Sequence, residues 1–429
     1  MTNLYITKSP KLSGMVKAPP SKAFTHRASI AALLSEGTSE IYDPLICDDI
    51  VATLEACTAF GARVKPEQNK LVVKGSPHLE TPNDVINCKE SGSTLRFITP
   101  VASLADGITV LTGGPSLRRR PIGELLEALS KLGVRCYTTR GDGYPPVIVF
   151  GGGIRGGETS IVGDVSSQYI SGLLFACPRA FEDTEIHIVT PLESKQYVKM
   201  TMEVLSAHGI RIDSSPDLQR FRIPARQTYT STNHKILGDY SSAAFLLAAS
   251  AITESKVKLT NLSKKTTQAD VAIIKILQEM GADINVGTNS VEVNGGNRLN
   301  CIKLDASATP DLVPVCAVLA CYAEGQTQIS HAERLRIKES DRLSAIRVEL
   351  TKMGAEITET RDGLLIQGPS KLRGCVIDPH NDHRIAMACA VAALGAEGIT
   401  VIRDSQCINK SYPKFVQDLR NLGAKVYVK

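Results

Sequence analysis

The sequence lacks any segment suited to a membrane or to a nucleic acid. Its longest apolar stretches, such as 243–252, are too short to span a bilayer. The formal net charge of +5 in 429 residues is too small to indicate nucleic-acid binding, and no dense basic tract is interleaved with aromatic residues. We therefore expect neither a membrane nor a nucleic acid as a partner.

The cysteine pattern argues against a disulfide scaffold. The eleven cysteines include no Cys-x-x-Cys pair, and Cys177, Cys316, Cys321 and Cys389 lie in apolar helical runs, where a thiol is a small hydrophobic group. This pattern favours a reducing compartment. The first residues lack the basic and apolar regions of a secretion signal, so we expect a cytoplasmic protein.

Several catalytic motifs are also missing. No glycine-rich segment ends in Gly-Lys-Ser/Thr, which argues against binding of a nucleoside triphosphate. There is no Gly-x-Ser-x-Gly segment and no nucleophilic cysteine motif, so covalent catalysis is not indicated. We expect no metal at His383.

A sixfold repeat is what the sequence does contain. An amphipathic helix that ends in glycine recurs at Gly61, Gly133, Gly209, Gly281, Gly354 and Gly423. Successive glycines are 72, 76, 72, 73 and 69 residues apart. An apolar helix that begins with a polar cluster recurs in phase, with clusters at 22–27, 91–96, 166–168, 239–242, 310–311 and 382–384. Two signals with one period predict six structurally equivalent units.

Each unit has the pattern strand, helix, strand, helix, strand, strand. The first helix is apolar nearly all round, which indicates burial, whereas the second is amphipathic and belongs outside, against a sheet. The second helices are predicted at 48–60, 120–132, 197–208, 268–280, 340–353 and 411–422. We predict an α/β fold of two domains, each built from three βαβαββ units. One domain is 19–235, and the other is 236–429 together with 1–18, whose strand Leu4–Thr7 has no partner in its own unit.

The polar starts of the buried helices are favourable places for anions, because free N–H groups and the helix dipole meet there. The start of the first buried helix carries Lys22 and Arg27. The start of the second contains Gly92 between two serines, a pattern similar to a phosphate nest. Three arginines, 118–120, precede Pro121 near another helix start, where one could serve an anion while two face water. Capped helices with solvated charges are the alternative explanation.

Two later clusters carry further charges. The run 338–342 opens the second helix of unit five, where Lys338 and Arg342 would share a helix face, and surface salt bridges are the alternative. Arg384 leads into an apolar helix, where its charge must be paired or must meet an anion. Asp311 is either a helix cap or, if anions fill the neighbouring sites, a general base.

The charges are distributed unevenly over the six units. Unit four carries few, and its Asp239 and Ser241 are interpreted as structural. The uneven distribution indicates a cleft between the two halves. The residue types favour positioning and electrostatic stabilisation of two polyanionic substrates.

Six motifs, in this order and at these spacings, resemble those of the 5-enolpyruvylshikimate-3-phosphate synthase family. They are Pro-x-Ser-Lys-x-x-x-x-Arg, Ser-Gly-Ser-Thr-x-Arg, Arg-Pro, Ser-Ser-Gln, Lys-Glu-Ser-Asp-Arg and Asn-Asp-His-Arg. The resemblance covers the whole chain and implies two inside-out α/β domains. It implies transfer of the enolpyruvyl group of phosphoenolpyruvate to the 5-hydroxyl of shikimate 3-phosphate, with release of phosphate, in chorismate biosynthesis. No cofactor is implied, and we expect a monomer.

The resemblance also implies roles for individual residues. Shikimate 3-phosphate would be bound by Lys22, Ala23, Arg27, Ser166, Ser167, Gln168, Ser194, Tyr197, Asp311 and Lys338. Phosphoenolpyruvate would be bound by Lys22, Gly92, Arg120, Gln168, Arg342, Arg384 and Lys410. Asp311 would accept the proton of the attacking hydroxyl, Glu339 would move the proton at the methylene carbon, and Lys22 would complete the catalytic set.

Some positions depart from the family pattern. Ala23 stands where Ser is frequent, Glu90 and Ser91 replace Asn-Ala before the glycine, and Arg334 stands where some members have Asn.

Two competing interpretations remain. The related family that adds enolpyruvate to UDP-N-acetylglucosamine typically has a reactive cysteine in the unit-two loop, and the segment 117–120 has none. An inactive binding homologue is the second alternative, against which the intact Asp311, Glu339, Lys22 and Arg384 argue.

Overall fold

The computed structural model describes residues 2–429, which form two compact units. The terminal unit contains the residues up to Pro19 together with Leu237–Lys429, and the central unit contains Pro20–Ile236. The chain therefore leaves the terminal unit after Pro19 and returns to it after Ile236.

Within residues 2–429, each unit contains six α-helices that alternate between buried and partly exposed. In the central unit they are α1 (Lys22–Leu34), α2 (Asp48–Ala59), α3 (Gly92–Ala102), α4 (Gly123–Lys131), α5 (Ser167–Ala176) and α6 (Lys195–Ala207). In the terminal unit they are α7 (Tyr240–Ala251), α8 (Ile273–Glu279), α9 (Val313–Tyr322), α10 (Arg342–Lys352), α11 (His383–Gly395) and α12 (Phe415–Asn421). Short 3-10 helices span Leu117–Arg119, Cys177–Arg179, Ala269–Ala272, Pro310–Leu312, Glu333–Ile337 and Ser405–Lys410.

The odd-numbered helices form the centre of each unit. Every residue of α7 is buried, as are all residues of α11 except Gly395. In the terminal unit α7, α9 and α11 pack against one another, and in the central unit α3 packs against both α1 and α5. The predicted α/β fold with buried first helices and outer second helices is confirmed.

Within residues 2–429, each unit contains three sheets of four or five strands. In the central unit their strands are Thr38–Tyr42, Arg63–Glu67, Lys70–Lys74 and His234–Lys235; Ile86–Asn87, Ile108–Thr112, Cys136–Thr138 and Val147–Phe150; and Gly157–Ile161, Thr184–Ile188, Asp213–Ser214 and Arg220–Ile223. A two-stranded ribbon joins Ser35–Glu36 to Tyr229–Thr230. In the terminal unit they are Lys11–Lys17, Glu254–Thr260, Asp283–Val286 and Ser290–Asn294; Leu299–Asn300, Lys303–Asp305, Ala323–Ser330, Glu356–Glu359 and Leu364–Gly368; and Leu4–Thr7, Val376–Ile377, Ile399–Ile402 and Val426–Val428.

Strands distant in the sequence complete three of these sheets, and in one of them Lys11–Lys17 pairs in parallel with Glu254–Thr260. Leu4–Thr7 lies between Ile399–Ile402 and Val426–Val428 and is antiparallel to both. His234–Lys235 pairs in parallel with Thr38–Tyr42, nearly two hundred residues earlier in the chain. No helix of residues 2–429 is both long enough and apolar enough to cross a membrane.

Four predicted outer helices, α4, α8, α10 and α12, begin later than expected. Helix α10 begins at Arg342 with Asp341 as its N-cap, so Lys338 and Glu339 lie outside the helix. The prediction that Lys338 and Arg342 share a helix face is therefore wrong, because the Asp341 side chain accepts the Ser344 N–H and starts the helix there (3.1 Å). Helices α8 and α12 are likewise preceded by 3-10 turns at Ala269–Ala272 and Ser405–Lys410.

Candidate active site

In the central unit, helix α1 begins with two basic side chains that are held by polar partners. The ammonium group of Lys22 donates to the carboxylate of Asp49, at 2.7 Å from Oδ2. The Ala23 carbonyl, in the first turn, accepts from Nη1 of Arg27 at 3.0 Å. Lys22 is therefore oriented by an ion pair within the unit.

Arg27 is buried, with 2% of its surface exposed. Its Nε donates to Thr201 (2.8 Å), its Nη2 donates to the Tyr197 carbonyl (3.0 Å), and its guanidinium lies over the Phe97 ring, 5.0 Å from the centroid. Burial lowers the pKa of Arg27 to about 10, so it is still a cation at neutral pH. The arrangement places a fixed positive charge beside the start of α6.

A second group surrounds Gly92, the first residue of α3. A Cβ atom at this position would lie 3.1 Å from Nη1 of Arg120 and 3.3 Å from Nη1 of Arg96. The side-chain oxygen of Gln168 accepts from Arg96 (2.8 Å), and its amide nitrogen donates to Ser93 (2.9 Å). Two guanidinium groups beside a helix N-terminus form a favourable place for a phosphate or carboxylate.

Two arginines of the run 118–120 face solvent, as predicted. Arg120 is buried, with 4% of its surface exposed, whereas Arg118 and Arg119 face solvent.

The remaining predicted residues of the central unit lie at the starts of α5 and α6. Ser166 caps α5 by accepting the Gln168 N–H at 3.3 Å, and Ser167 begins that helix. Ser194 precedes α6 with φ of 51°, a left-handed conformation, and Tyr197 lies in the first turn. Since α5 packs against both α3 and α6, these polar residues belong to neighbouring elements.

The terminal unit contains a buried charge cluster centred on Arg342, whose surface is 1% exposed. Its guanidinium donates to three carboxylates: Asp311 (2.9 Å), Glu339 (2.6 Å) and Asp382 (2.8 Å). Burial alone would lower the pKa of Arg342, but these carboxylates outweigh burial and raise it above its ordinary value. The surface-salt-bridge alternative for this run is therefore wrong for Arg342.

Asp311 bridges this cluster to Arg384. Its second oxygen accepts from Nη2 of Arg384 at 2.9 Å, and its backbone carbonyl accepts from Nη1 at 3.2 Å. Burial alone would raise the pKa of the Asp311 carboxyl. The cations of Arg384, Lys338 and Arg342 outweigh burial and hold that pKa well below its usual range.

The other predicted residues of the terminal unit surround these two arginines. Lys338, just before α10, is partly buried, and burial with the neighbouring Arg334 and Arg342 lowers its pKa to about 8. Lys410 donates to the Asn381 carbonyl at 2.5 Å. Each predicted site residue of this unit thus lies in or beside one charge cluster.

Several residues of these clusters were not predicted. Asp49 and Arg96 contact predicted residues in the central unit, and Asp382 does so in the terminal unit. Ser241, interpreted as structural from the sequence, accepts a hydrogen bond from Nη2 of Arg384 at 2.7 Å. Arg96 and Asp382 belong to recognised motifs, but nothing in the sequence pairs Ser241 with Arg384 across 143 residues.

Asp270 is a further residue of this region that the sequence did not suggest. It is 2% exposed, and within residues 2–429 neither carboxylate oxygen has a hydrogen-bond partner of standard geometry. Burial, followed by the nearby Asp311 charge, raises the pKa of Asp270 to about 7, although Arg384 and the Ser241 hydroxyl act in the opposite direction. Two carboxyl groups near one arginine thus have pKa values shifted in opposite directions.

Comparison with known proteins agrees with these motifs along the whole chain. Residues 6–419 match the family model described as EPSP synthase (3-phosphoshikimate 1-carboxyvinyltransferase). Proteins named 3-phosphoshikimate 1-carboxyvinyltransferase are 42% identical in Methanocaldococcus jannaschii, over 99% of both chains, and 47% identical in Methanocella arvoryzae, over 97% of both. The structure of EPSP synthase from Acinetobacter baumannii superposes with a TM-score of 0.84 at 27% identity, covering all of both chains. The chain therefore belongs to the EPSP synthase (3-phosphoshikimate 1-carboxyvinyltransferase) family.

Proposed function

We propose that this protein transfers the enolpyruvyl group of phosphoenolpyruvate to the 5-hydroxyl of shikimate 3-phosphate, releasing phosphate, in the biosynthesis of chorismate and the aromatic amino acids. The observation that carries the proposal is the Asp311 carboxylate, held between Arg342 and Arg384 in a chain of this family. A carboxylate beside anion-binding cations is suited to accept a proton from a hydroxyl that attacks an anionic partner.

Both substrates are anionic. The basic and hydroxyl-bearing residues of the two clusters are suited to bind their phosphate and carboxylate groups. Shikimate 3-phosphate is assigned to Lys22, Ala23, Arg27, Ser166, Ser167, Gln168, Ser194, Tyr197, Asp311 and Lys338. Phosphoenolpyruvate is assigned to Lys22, Gly92, Arg120, Gln168, Arg342, Arg384 and Lys410. Support for the second set comes from the two guanidinium groups beside Gly92 and from the arginine pair around Asp311.

The proposed reaction has an addition step and an elimination step. In the addition, the 5-hydroxyl oxygen bonds to C2 of phosphoenolpyruvate, its proton passes to Asp311, and Glu339 passes a proton that it takes up from water to C3. In the elimination, the bond from C2 to the phosphate oxygen breaks, Glu339 takes a proton back from C3, and the proton on Asp311 leaves with phosphate. Lys22 and the arginines stabilise the negative charge on the departing group.

The test is a phosphate-release assay with the purified full-length protein. We expect phosphate only when phosphoenolpyruvate and shikimate 3-phosphate are both present, together with a product that carries the enolpyruvyl ether. Release with UDP-N-acetylglucosamine as the sole acceptor would instead support the related family. Binding of shikimate 3-phosphate without any phosphate release would support an inactive binding homologue.

We further propose a cytoplasmic monomer. Within residues 2–429 every cysteine is a free thiol, which is consistent with a reducing compartment. Light scattering of the purified protein measures the oligomeric state.

A further inference from the structure

Two segments of the central unit leave neighbouring parallel strands at the same edge of their sheet. Strand Ile86–Asn87 pairs in parallel with Ile108–Thr112, with Ile86 opposite Leu111 and Asn87 opposite Thr112. The segment 88–91 follows the first strand and leads into α3. The segment 113–120, which we call the arginine loop, follows the second strand and ends at Arg120. The strand pairing therefore places the segment 88–91 beside the arginine loop.

Two hydrogen bonds join these segments. The Glu90 carboxylate accepts the backbone N–H of Leu117 at 2.9 Å, and the Lys89 carbonyl accepts the N–H of Gly114 at 2.6 Å. The Leu117 N–H belongs to the first residue of a 3-10 helix, where an amide has no partner within the helix. Glu90 therefore supplies the acceptor that this turn lacks.

The approach of the segments is too close for other residue types in the loop. A Cβ atom on Gly114 would overlap the Glu90 carboxylate, and one on Gly113 would lie 2.5 Å from the Lys89 carbonyl oxygen. Lys89 itself has φ of 51°, in the left-handed region that lysine rarely adopts. The two glycines of the arginine loop leave room for the Glu90 side chain. The left-handed backbone at Lys89 directs that side chain against the loop.

Arg120 depends on this loop for its position. Its N–H donates to the Leu117 carbonyl at 3.1 Å, and its Nη2 donates to Ser116 at 3.0 Å. Leu117 is fully buried in the core, so the turn is anchored on one side by packing and on the other by Glu90. The guanidinium that lies beside Gly92 is thus placed by a turn whose first amide is bound to Glu90.

We propose that Glu90 is a positioning residue, which binds the Leu117 amide, fixes the arginine loop and so places the Arg120 guanidinium for the anion beside Gly92. This inference rests on the proposed function, in which that anion is phosphoenolpyruvate. Glu90 acts through Arg120 and needs no contact with the substrate.

The test compares Glu90→Ala with Glu90→Gln in steady-state kinetics. Alanine removes the acceptor, so we expect KM for phosphoenolpyruvate to rise about tenfold, the scale of one lost hydrogen bond to a charged acceptor. The kcat and the KM for shikimate 3-phosphate should stay within about threefold of wild type, because only binding at Arg120 is affected. Glutamine keeps an acceptor oxygen and should restore KM to within about threefold.

Hydrogen exchange provides a readout that does not depend on the reaction. In the unliganded protein, the amides of 114–120 should exchange about tenfold faster in Glu90→Ala than in wild type, since the turn opens more often. The matched control is Glu55→Ala, which removes a nearby exposed carboxylate that pairs with Lys89 and leaves the loop intact.

The outcomes separate this inference from the proposed function. Unchanged exchange in Glu90→Ala, or a glutamine variant whose KM equals that of the alanine variant, would overturn the positioning role. If wild type releases no phosphate, the proposed function fails, and the exchange data still decide whether Glu90 holds the loop.

Discussion

Asp311, the general base of the proposed reaction, has two properties that usually conflict in that role. Hydrogen bonds from Arg342 and Arg384, both at 2.9 Å, orient the carboxylate and keep it ionised. The same cations hold the pKa of Asp311 well below its usual range, which makes it a weak base in the unliganded protein. An anionic substrate that engages the arginines would weaken their hold on the carboxylate and raise its pKa. The base would then gain strength when the substrate is bound.

The residue-scale prediction concerns Asp311→Ala. We expect kcat to fall by about two to four orders of magnitude, the usual effect of losing a general base. Arg342 retains Glu339 and Asp382 as partners, so the fold should persist. Phosphate release measures kcat, and circular dichroism verifies the fold.

The control for this variant is Asp283→Ala, which removes an exposed carboxylate of the same unit whose partner is Asn294. Its kcat should match wild type. Wild-type turnover in Asp311→Ala would remove this carboxylate from the mechanism.

At the scale of secondary-structure elements, the close packing of α3 on α5 supports the group around Gly92. Gly172 of α5 faces the Arg96 carbonyl and Pro100 of α3, and a Cβ atom there would overlap the carbonyl oxygen and lie 3.1 Å from Pro100 Cγ. The obstacle is backbone, which cannot rotate away. Since Arg96 and Gly92 lie on the same helix, a shift of α3 would move the candidate anion site.

We predict that Gly172→Ala lowers the free energy of unfolding by about 1 to 3 kcal/mol, the usual cost of overpacking a core. Denaturant titration followed by circular dichroism measures the change. The matched control is Gly123→Ala in α4, where the nearest atom lies 3.4 Å from the new Cβ. Gly172 lies inside α5, where alanine favours a helix more than at Gly123, the first residue of α4, so a greater loss of stability in Gly172→Ala would come from the overlap. Equal midpoints in the two variants would contradict the packing argument.

The periodic features of these elements were predictable from the sequence because they repeat. All six glycines that end the outer helices have positive φ, from 79° at Gly209 to 102° at Gly354, as a helix stop requires. The alternation of buried and outer helices follows from apolar residues spaced at the helical period. Both the helix-ending glycines and the apolar spacing are local sequence patterns. Because each pattern recurs six times, it can be recognised in the sequence.

Individual contacts were less predictable because they join distant parts of the chain. Arg342 lies 31 residues from Asp311 and 40 from Asp382, and no local pattern encodes those pairs. The spacing of four residues between Lys338 and Arg342 suggested one helix face. Asp341 is instead the N-cap and α10 begins at Arg342, so Lys338 lies outside the helix. Asp270 carried no signal at all, because a single acidic residue at an element start is ordinarily a cap.

At the scale of the whole molecule, the two units contain titratable groups whose pKa shifts act on stability in opposite directions. In the central unit, burial and the neighbouring His234 lower the pKa of His208 to about 4, and burial lowers that of His234, whose Nε2 lies 2.9 Å from Nε2 of His208. Burial, Lys22 and Arg27 also lower the pKa of His26. In the terminal unit the pKa of Asp270 is raised to about 7.

We therefore predict opposite pH responses of the two units between about pH 7 and pH 4. As the pH falls below about 6.5, the unfolded chain takes up protons on histidines that stay neutral in the folded central unit, so that unit loses stability. Asp270 instead takes up its proton in the folded terminal unit first, because an unfolded aspartate has a pKa of about 3.9, and that unit gains stability over the same range. Denaturant titration with pulsed hydrogen exchange and mass spectrometry, at pH 7.5 and pH 5, measures each unit separately.

The size of the response in the central unit can be checked with one substitution. Between pH 7.5 and pH 5, His208 alone should lower the free energy of unfolding of this unit by about 2 kcal/mol, at roughly 1.4 kcal/mol for each unit of pKa shift. In His208→Gln the central unit should respond less to pH, while the terminal unit should respond as in wild type because Asp270 is unchanged. The same pH response in the central unit of wild type and variant would exclude His208 as the source. Loss of stability in the terminal unit on acidification would contradict the raised pKa of Asp270, since a carboxyl that is protonated first in the folded unit must stabilise it there.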